Sequence, residues 1–308
     1  MKKLIMKIEH RHPLSPKATG FMLAIIGTAL FSLKSIFIKL AYEEGLSAES
    51  VLMLRMAIAL PIYTGILIWL YKRPVQVPEQ LNRHLLKIFF LGFIGYFLSS
   101  WLDLKGLEFI SAQLERLTLF SYPILVALLG AVFFKAPLTK IIIVSLLMSY
   151  GGIWVVFNQE ISFSGENSAL GTLLVFLAAL SFSLYVLLGK KVIHQVGSLW
   201  FTSIAMITSS IIVLVYYAIF FNYNALIVTS LAWVWLVLLA IFSTVIPSFM
   251  IAEAIAKIGP AQTGIIGTLG PMVTIVLAVF ILNEPFSLYH ALGISLVIGG
   301  VTVLARAK

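Results

Sequence analysis

The sequence predicts an all-α membrane protein with ten transmembrane helices arranged as two inverted five-helix repeats. The first reason is composition, because 61% of the 308 residues are hydrophobic and only 11% are charged, with a mean hydropathy of +1.06. Such a chain has too little polar surface to cover a water-soluble globule. The apolar residues also fall into runs of about 20, the length of a helix that crosses a bilayer. The third reason is an internal repeat.

Ten apolar runs are long enough to cross a membrane as helices, which satisfy their own backbone hydrogen bonds away from water. In chain order they lie near 20–41, 50–71, 86–107, 112–134, 139–157, 169–189, 199–220, 231–256, 260–282 and 287–305. The first run follows a basic amino-terminal stretch and lacks a small-residue cleavage pattern. It is therefore predicted to be a retained span and not a signal peptide.

The distribution of Lys and Arg predicts the direction of the spans, because cytoplasmic segments are enriched in basic residues. With a cytoplasmic amino terminus, sixteen of the 21 basic residues fall in inner segments, whereas the outer loops carry glutamates. Both termini are therefore expected in the cytoplasm. The net charge of +9 arises from these loops and forms no basic face, so nucleic acid is not a predicted partner.

The two halves of the chain repeat one another, with Gly, Pro and Lys residues in fixed register at shifts of 151 and 148 positions. The matched pairs are Gly20 with Gly171, Lys39 with Lys190, Pro123 with Pro271, Pro137 with Pro285 and Gly151-Gly152 with Gly299-Gly300. Because each half holds an odd number of spans, the second half must run opposite to the first. This inverted repeat is typical of secondary transporters with a substrate site near the midplane.

Ionisable residues occur inside the predicted spans, where each costs about 3 kcal/mol on insertion scales and needs a partner or water. Lys34 is the leading candidate for substrate binding or coupling. It lies mid-span with no complementary residue one helical turn away, so its partner must come from another helix. Asp103 and Glu115 are expected at similar depth. Lys34 is predicted either to receive the anionic part of a substrate or to exchange partners with an acid whose protonation drives the cycle.

Glu115 and Arg116 are adjacent in the fourth span and point about 100 degrees apart, so they are expected to have different partners. Both are candidate substrate or coupling residues. A structural role is the alternative, since ion pairs with Asp103 could simply hold helices together. Arg55 and Lys39 are interpreted structurally, as an outer-end anchor and as a side chain that extends to the membrane surface.

Small and polar residues share one face of the third span and one face of the fourth. Such faces either pack helices closely or line a wet cavity. Tyr185, the repeat counterpart of Lys34, is a further substrate or coupling candidate. The predicted cavity-lining residues are Tyr96, Ser99, Thr118, Tyr122 and Gly267. The last belongs to a series of glycines at every third position, which favours close packing over gating.

Several motifs occur in an order that identifies a family. They are FSLKSIFIK in the first span, Arg55, GLEFISA at 106–112, Pro123, Gly151-Gly152, IGPAQ at 258–262, Pro271, LNEP at 282–285 and Gly299-Gly300. Together they resemble the drug/metabolite transporter superfamily, and within it the EamA-type proteins, over about residues 18–305. The resemblance implies a carrier in the bacterial inner membrane, usually an exporter of amino acids or other small metabolites. Its cavity is expected between spans 1, 3 and 4 and spans 6, 8 and 9.

The predicted function is secondary transport of a small molecule by alternating access, coupled to protons or working by exchange. The expected partners are this substrate and the lipid bilayer, with no cofactor and no metal site. ATP is not predicted to drive transport, because the sequence contains no GxxxxGK[ST] motif. An intramembrane enzyme is not predicted either, because the sequence contains no HExxH or GxSxG motif and no clustered His or Cys. A channel or a membrane scaffold that does not transport is the alternative.

Five segments follow from these predictions. They are a cytoplasmic tail at 1–17, the first repeat at 18–158, an outer linker at 159–168, the second repeat at 169–305 and a cytoplasmic end at 306–308.

Overall fold

The computed structural model describes residues 15–72, 77–135, 139–164, 167–223, 226–267 and 269–306. The predicted amino-terminal tail lies outside these residues except at positions 15–17, and so do the last two positions of the predicted cytoplasmic end. All regular structure in the described ranges is helical, which confirms the predicted fold class.

The helices are numbered α1 to α14 in chain order, with two π-helical segments, π1 and π2. The first half contains α1 (Pro16–Ser32), α2 (Lys34–Glu43), α3 (Ala48–Lys72), α4 (Leu81–Gly92), π1 (Phe93–Leu98), α5 (Ser99–Leu107), α6 (Ala112–Leu119), α7 (Tyr122–Phe134) and α8 (Lys140–Ser164). The second half contains α9 (Ser168–Val196), α10 (Ser198–Phe220), α11 (Ser230–Ala240), π2 (Ile241–Val245), α12 (Ile246–Gly267), α13 (Leu269–Ile281) and α14 (Leu288–Arg306).

These elements form ten apolar segments, which we call spans 1 to 10. In chain order they are α1–α2, α3, α4–π1–α5, α6–α7, α8, α9, α10, α11–π2–α12, α13 and α14. In the described part of the chain, the first eight are long and apolar enough to cross a membrane, while spans 9 and 10 are apolar but shorter. The ninth span is shorter than predicted because residues 260–267 continue α12, where the sequence had placed a boundary.

Spans 3 and 8 each contain a π-helical segment at the same place in the repeat. The two segments begin at Phe93 and Ile241, which are 148 positions apart, the shift that relates the second part of each half. The second segment ends at Val245, two residues before Pro247, which lacks the N–H that a regular helix would use. In the first, the Ile94 carbonyl accepts a hydrogen bond from Ser181 Oγ of span 6 at 2.6 Å. The shared position of the two segments supports the inverted repeat.

The spans pair between the two halves as a two-fold relationship requires. Spans 2, 4 and 5 pack against their own counterparts, spans 7, 9 and 10. Span 1 packs against span 8 through α1 and α12, and span 3 packs against span 6 through α5 and α9. Spans 1 and 6 are counterparts in the repeat, and so are spans 3 and 8, so these last two pairings are equivalent.

Glycine residues allow spans 5 and 10 to cross closely. A Cβ atom added to Gly152 would lie 2.5 Å from the carbonyl oxygen of Gly293, and one added to Gly293 would lie 2.7 Å from that of Gly152. Gly300 approaches the carbonyl oxygen of Ser145 in the same way, at 2.7 Å. A shift of 148 positions takes Gly152 to Gly300 and Ser145 to Gly293. The contact of Gly152 with Gly293 and the contact of Gly300 with Ser145 are therefore equivalent in the repeat. The two helices can therefore lie this close because the residues at the crossing are glycines, which have no side chain.

We expect Gly152→Ala to lower the thermal unfolding temperature of the purified protein. The new methyl group overlaps a backbone carbonyl of span 10, and overpacking of this kind costs about 1–3 kcal/mol. Gly151→Ala is the matched control, because a methyl group there meets no described atom within 4 Å. Equal unfolding temperatures for the two variants would contradict the close crossing.

Candidate functional site

Span 1 is interrupted at Leu33, where α1 ends and α2 begins. The carbonyl groups beside the break receive donors from other spans. Phe31 O accepts from Arg116 Nη2 at 3.2 Å, and Ser32 O accepts from Thr274 Oγ1 at 2.8 Å. An interrupted helix is tolerated at membrane depth where neighbouring side chains satisfy the freed backbone groups. The break therefore ties span 1 to spans 4 and 9.

Lys34 directly follows the break and forms a buried ion pair with Asp103 of span 3. The two side chains are 9% and 2% exposed. As the sequence predicted, the partner of this lysine comes from another helix. Two charges withdrawn from water need each other, so removing either one leaves the other buried and uncompensated.

Ser35 connects the two adjacent charged residues of span 4. Its hydroxyl donates to Glu115 Oε2 at 2.6 Å and accepts from Arg116 Nη2 at 3.1 Å. This differs from the expectation of separate partners, because one hydroxyl can both donate and accept. The guanidinium of Arg116 also lies 5.8 Å from the centre of the Phe31 ring, within cation–π range.

Arg55 belongs to the same buried group, although the sequence was interpreted as placing it at the outer membrane surface as an anchor. It is 2% exposed, and the charge of Asp103 acts on it. The interpretation as an anchor is therefore wrong. The available signal was its position seven residues after the start of α3 at Ala48, about two turns inside the helix.

The charged cluster consists of three cations and two acids, each at most 7% exposed. Fully ionised, it carries one excess positive charge. Within the described part of the chain, three of its nitrogen atoms and two of its carboxylate oxygens have no hydrogen-bond partner. They are Arg55 Nε and Nη2, Arg116 Nε, Asp103 Oδ1 and Glu115 Oε1. The carboxyl groups of Asp103 and Glu115 also lie within hydrogen-bonding range of each other, so a shared proton can pair their two oxygens. Since buried polar groups are normally paired, the three nitrogen atoms are available to a bound molecule or to water.

Tyr185 lies in an aromatic layer and not in the charged cluster. Its hydroxyl is 3.0 Å from that of Tyr96, so spans 3 and 6 meet there. Phe182 connects this pair to span 4, with ring centres 5.5 Å from Tyr185 and 5.2 Å from Tyr122. Two of the predicted cavity-lining residues therefore lie in this one aromatic layer, where Tyr96 contacts Tyr185 and Tyr122 contacts Phe182.

The aromatic layer lies to one side of the charged cluster along the helix axes. Tyr96 precedes Asp103 by seven residues in span 3, and Tyr122 follows Glu115 by seven residues in span 4, which runs in the opposite direction. Seven residues of helix correspond to about 10 Å. Both tyrosines are therefore displaced toward the same membrane surface.

The other three predicted cavity-lining residues have different surroundings. Ser99 donates to the Ala178 carbonyl at 3.0 Å and so packs span 3 against span 6. Thr118 is 1% exposed, and its hydroxyl has no partner among the described residues. A Cβ atom at Gly267 would meet no described atom within 4 Å, so this glycine does not make the close packing contact that its series favoured.

Glu284 of the LNEP motif holds the start of span 4, a role that sequence reasoning missed. Its Oε1 accepts from the Ala112 N–H at 2.7 Å, and its Oε2 accepts from the Gln113 N–H at 3.2 Å. The free N–H groups and the helix dipole both favour an acid at this position. Glu284 thus fixes the end of the helix that carries Glu115 and Arg116.

Two five-helix halves with an inverted relationship, and buried charges between their helices, define a class of membrane transporters. The family model described as the EamA-like transporter family matches residues 18–158 and 169–306. The chain belongs to this family, and thereby to the drug/metabolite transporter superfamily. Its ordered motifs had indicated the same membership.

Relatives and a solved structure are similar over most of the chain. The uncharacterized transporter YcbK of Bacillus subtilis (strain 168) is 28% identical over 300 residues, which cover 94% of this chain and 93% of the relative. The uncharacterized transporter YyaM of the same organism is 24% identical over 233 residues, covering 72% and 74%. One crystal structure has a TM-score of 0.66 at 18% identity, covering 94% of this chain and 98% of its own. These similarities support the fold and the transporter class and name no substrate.

We expect Lys34→Met to lower the stability of the folded protein by about 3–5 kcal/mol, because Asp103 is then buried without its counter-charge. The double variant Lys34→Met/Asp103→Leu is expected to recover most of the loss, since it keeps the excess charge of the cluster unchanged. Thermal unfolding in detergent measures both effects.

Lys17→Met is the control for loss of a lysine from the same span, and it is expected to remain close to the wild type because Lys17 is exposed in the first turn of α1. A double variant as unstable as the single variant would show that the ion pair does not account for the burial of these two side chains.

Proposed function

We propose that this protein is a secondary transporter of a zwitterionic metabolite, with amino acids as the leading substrate class. The proposal rests on two sets of buried polar atoms in the charged cluster, one of nitrogen donors and one of carboxylate oxygens. Nitrogen donors of Arg55 and Arg116 lie in the same cluster as oxygens of Asp103 and Glu115, which face each other's carboxyl groups and no other donor among the described residues. A substrate carboxylate satisfies the donors and a substrate ammonium satisfies the acceptors. A simple anion or a simple cation satisfies only one of the two sets.

In the proposed mechanism, Lys34 changes partners when substrate binds. The carboxylate of the substrate competes with Asp103 for Lys34, while its ammonium replaces Lys34 beside Asp103. Each buried charge keeps a partner throughout the exchange, which avoids the cost of an uncompensated charge. The excess positive charge of the cluster disfavours purely cationic compounds.

Alternating access requires that the cluster be closed on one side at a time. The aromatic layer of Tyr96, Tyr122, Phe182 and Tyr185 supplies packed side chains on one side of it. The break in span 1 and the two π-helical segments are irregular positions at which helices can change direction. We propose these positions as the hinges of the transport cycle.

We propose that the protein resides in the bacterial inner membrane with both termini in the cytoplasm, and that it works as an exporter. The basic residues at the inner ends of spans 2, 3, 5 and 6 support this orientation. For coupling, a proton can be carried by Asp103 or Glu115, and exchange of two substrates is the alternative. Export follows from resemblance to EamA-type carriers.

Amino acids are expected to raise the unfolding temperature of the purified protein, because a ligand of the folded state stabilises it by mass action. Each amino acid is compared with its amide, which lacks the carboxylate, and with its N-acetyl derivative, which lacks the ammonium. Only the zwitterions should stabilise. Arg55→Met should weaken binding about ten- to hundredfold, the effect of losing a hydrogen bond to a charged group.

Lys17→Met serves as the control, since it removes an exposed cation at the start of α1, outside the cluster. Stabilisation by the N-acetyl compounds alone would assign the site to anions, and no response to any amino acid would contradict the substrate class. Counterflow in proteoliposomes, with and without a pH gradient, then tests transport and separates proton coupling from exchange.

Single cysteines can test the orientation directly, because the natural chain contains none. In spheroplasts, cysteine at Asn167, between spans 5 and 6, should react with a thiol reagent that does not cross membranes. Cysteine at Gln195, at the other end of span 6, should react only after the cells are opened. The reverse pattern would invert the proposed orientation.

A further inference from the structure

A groove of about 770 Å³ opens between the first turns of span 3 and the last turns of span 6. It begins near Gln80 and extends to Leu91 on span 3, and it runs from Leu188 to Gln195 on span 6. It is separated from the charged cluster by the aromatic layer, because Tyr185 lies one turn before Leu188. The groove is therefore distinct from the proposed substrate site.

Positive charge dominates the walls of this groove. Arg83 and Lys87 lie one turn apart on span 3, and Lys191 faces them from span 6. All three are exposed. The described lining residues include no Asp or Glu, so these cations have no counter-charge within the groove. Such a site attracts an anion.

A buried histidine also points to a ligand. His84 lines the groove and is 7% exposed, and its Nδ1 atom has no hydrogen-bond partner among the described residues. Since buried polar atoms are normally paired, a group bound in the groove would supply the missing partner. The histidine adds a specific polar contact to the general attraction of the three cations.

Three of the other lining residues are apolar and exposed. Leu86 is 80% exposed, Phe90 is 57% exposed and Leu188 is 43% exposed. They alternate with the basic residues along the two helices, so the groove is both cationic and apolar. A water-soluble anion gains nothing from this apolar surface, whereas acyl chains bury it.

We propose that the groove binds an anionic phospholipid. The phosphate and the headgroup lie against Arg83, Lys87 and Lys191, and the acyl chains lie along Leu86 and Phe90. Basic pockets between membrane helices hold acidic lipid headgroups by the same combination of charge and apolar contact. With the orientation proposed above, the lipid belongs to the cytoplasmic leaflet.

The test measures retention of phosphatidylglycerol by the purified protein, using native mass spectrometry with phosphatidylcholine as the competing lipid. The groove variant is Arg83→Gln/Lys87→Gln/Lys191→Gln. We expect it to bind phosphatidylglycerol about a hundredfold more weakly, at about fivefold for each cation removed.

The matched control is Lys72→Gln/Lys140→Gln/Lys190→Gln. It removes three exposed cations that lie at the corresponding helix ends but outside the groove. It should retain the lipid like the wild type. The single variants Lys191→Gln and Lys190→Gln provide the same comparison of lipid binding at two adjacent residues. Both lysines are exposed, but only Lys191 lines the groove.

Three outcomes would overturn the proposal. Equal loss of lipid in the groove variant and in its control would show that charge acts diffusely over the whole surface. Equal retention of phosphatidylcholine and phosphatidylglycerol would show that the charges do not select the lipid. Displacement of phosphatidylglycerol by inorganic phosphate would assign the groove to a water-soluble anion.

Discussion

Charges that lie between membrane helices must find their counter-charges on other helices, and the pair of Lys34 and Asp103 meets this requirement. The pair links span 1 to span 3 beside the break at Leu33. Ser35, the next residue, links the same helix to both charged residues of span 4. The buried charges therefore join the first, third and fourth spans, and apolar contacts fill the space around them.

The two halves share the same arrangement of helices, but only the first half carries the charged cluster. The π-helical segments of spans 3 and 8 and the glycine crossings of spans 5 and 10 obey the repeat. Span 1 is broken and carries Lys34, whereas span 6 is continuous and carries Tyr185 at the equivalent position. A symmetric scaffold permits two related conformations, and an asymmetric charged cluster would give the proposed substrate a defined orientation in both.

Three layers succeed one another along spans 3 and 6. The charged cluster comes first, then the aromatic layer around Tyr96 and Tyr185, and then the basic groove. Each layer suits a different environment, since paired charges need enclosure, stacked rings exclude water and exposed cations need an anionic surface. A lipid in the groove would lie one helical turn from Tyr185, so occupancy of the groove would bear on the packing of the aromatic layer.

The sequence by itself determined the ten spans, the inverted repeat and the need of Lys34 for a partner on another helix. These features depend on local run length, on residue register and on the cost of a buried charge, all of which are written along the chain. Only the tertiary structure decided the break at Leu33, the burial of Arg55, the bridging role of Ser35 and the cap that Glu284 provides. No Gly or Pro marks the break, and the decisive contacts join residues 69, 80 and 172 positions apart. Contacts over such separations depend on which helices become neighbours, and periodicity within one helix carries no information about its neighbours.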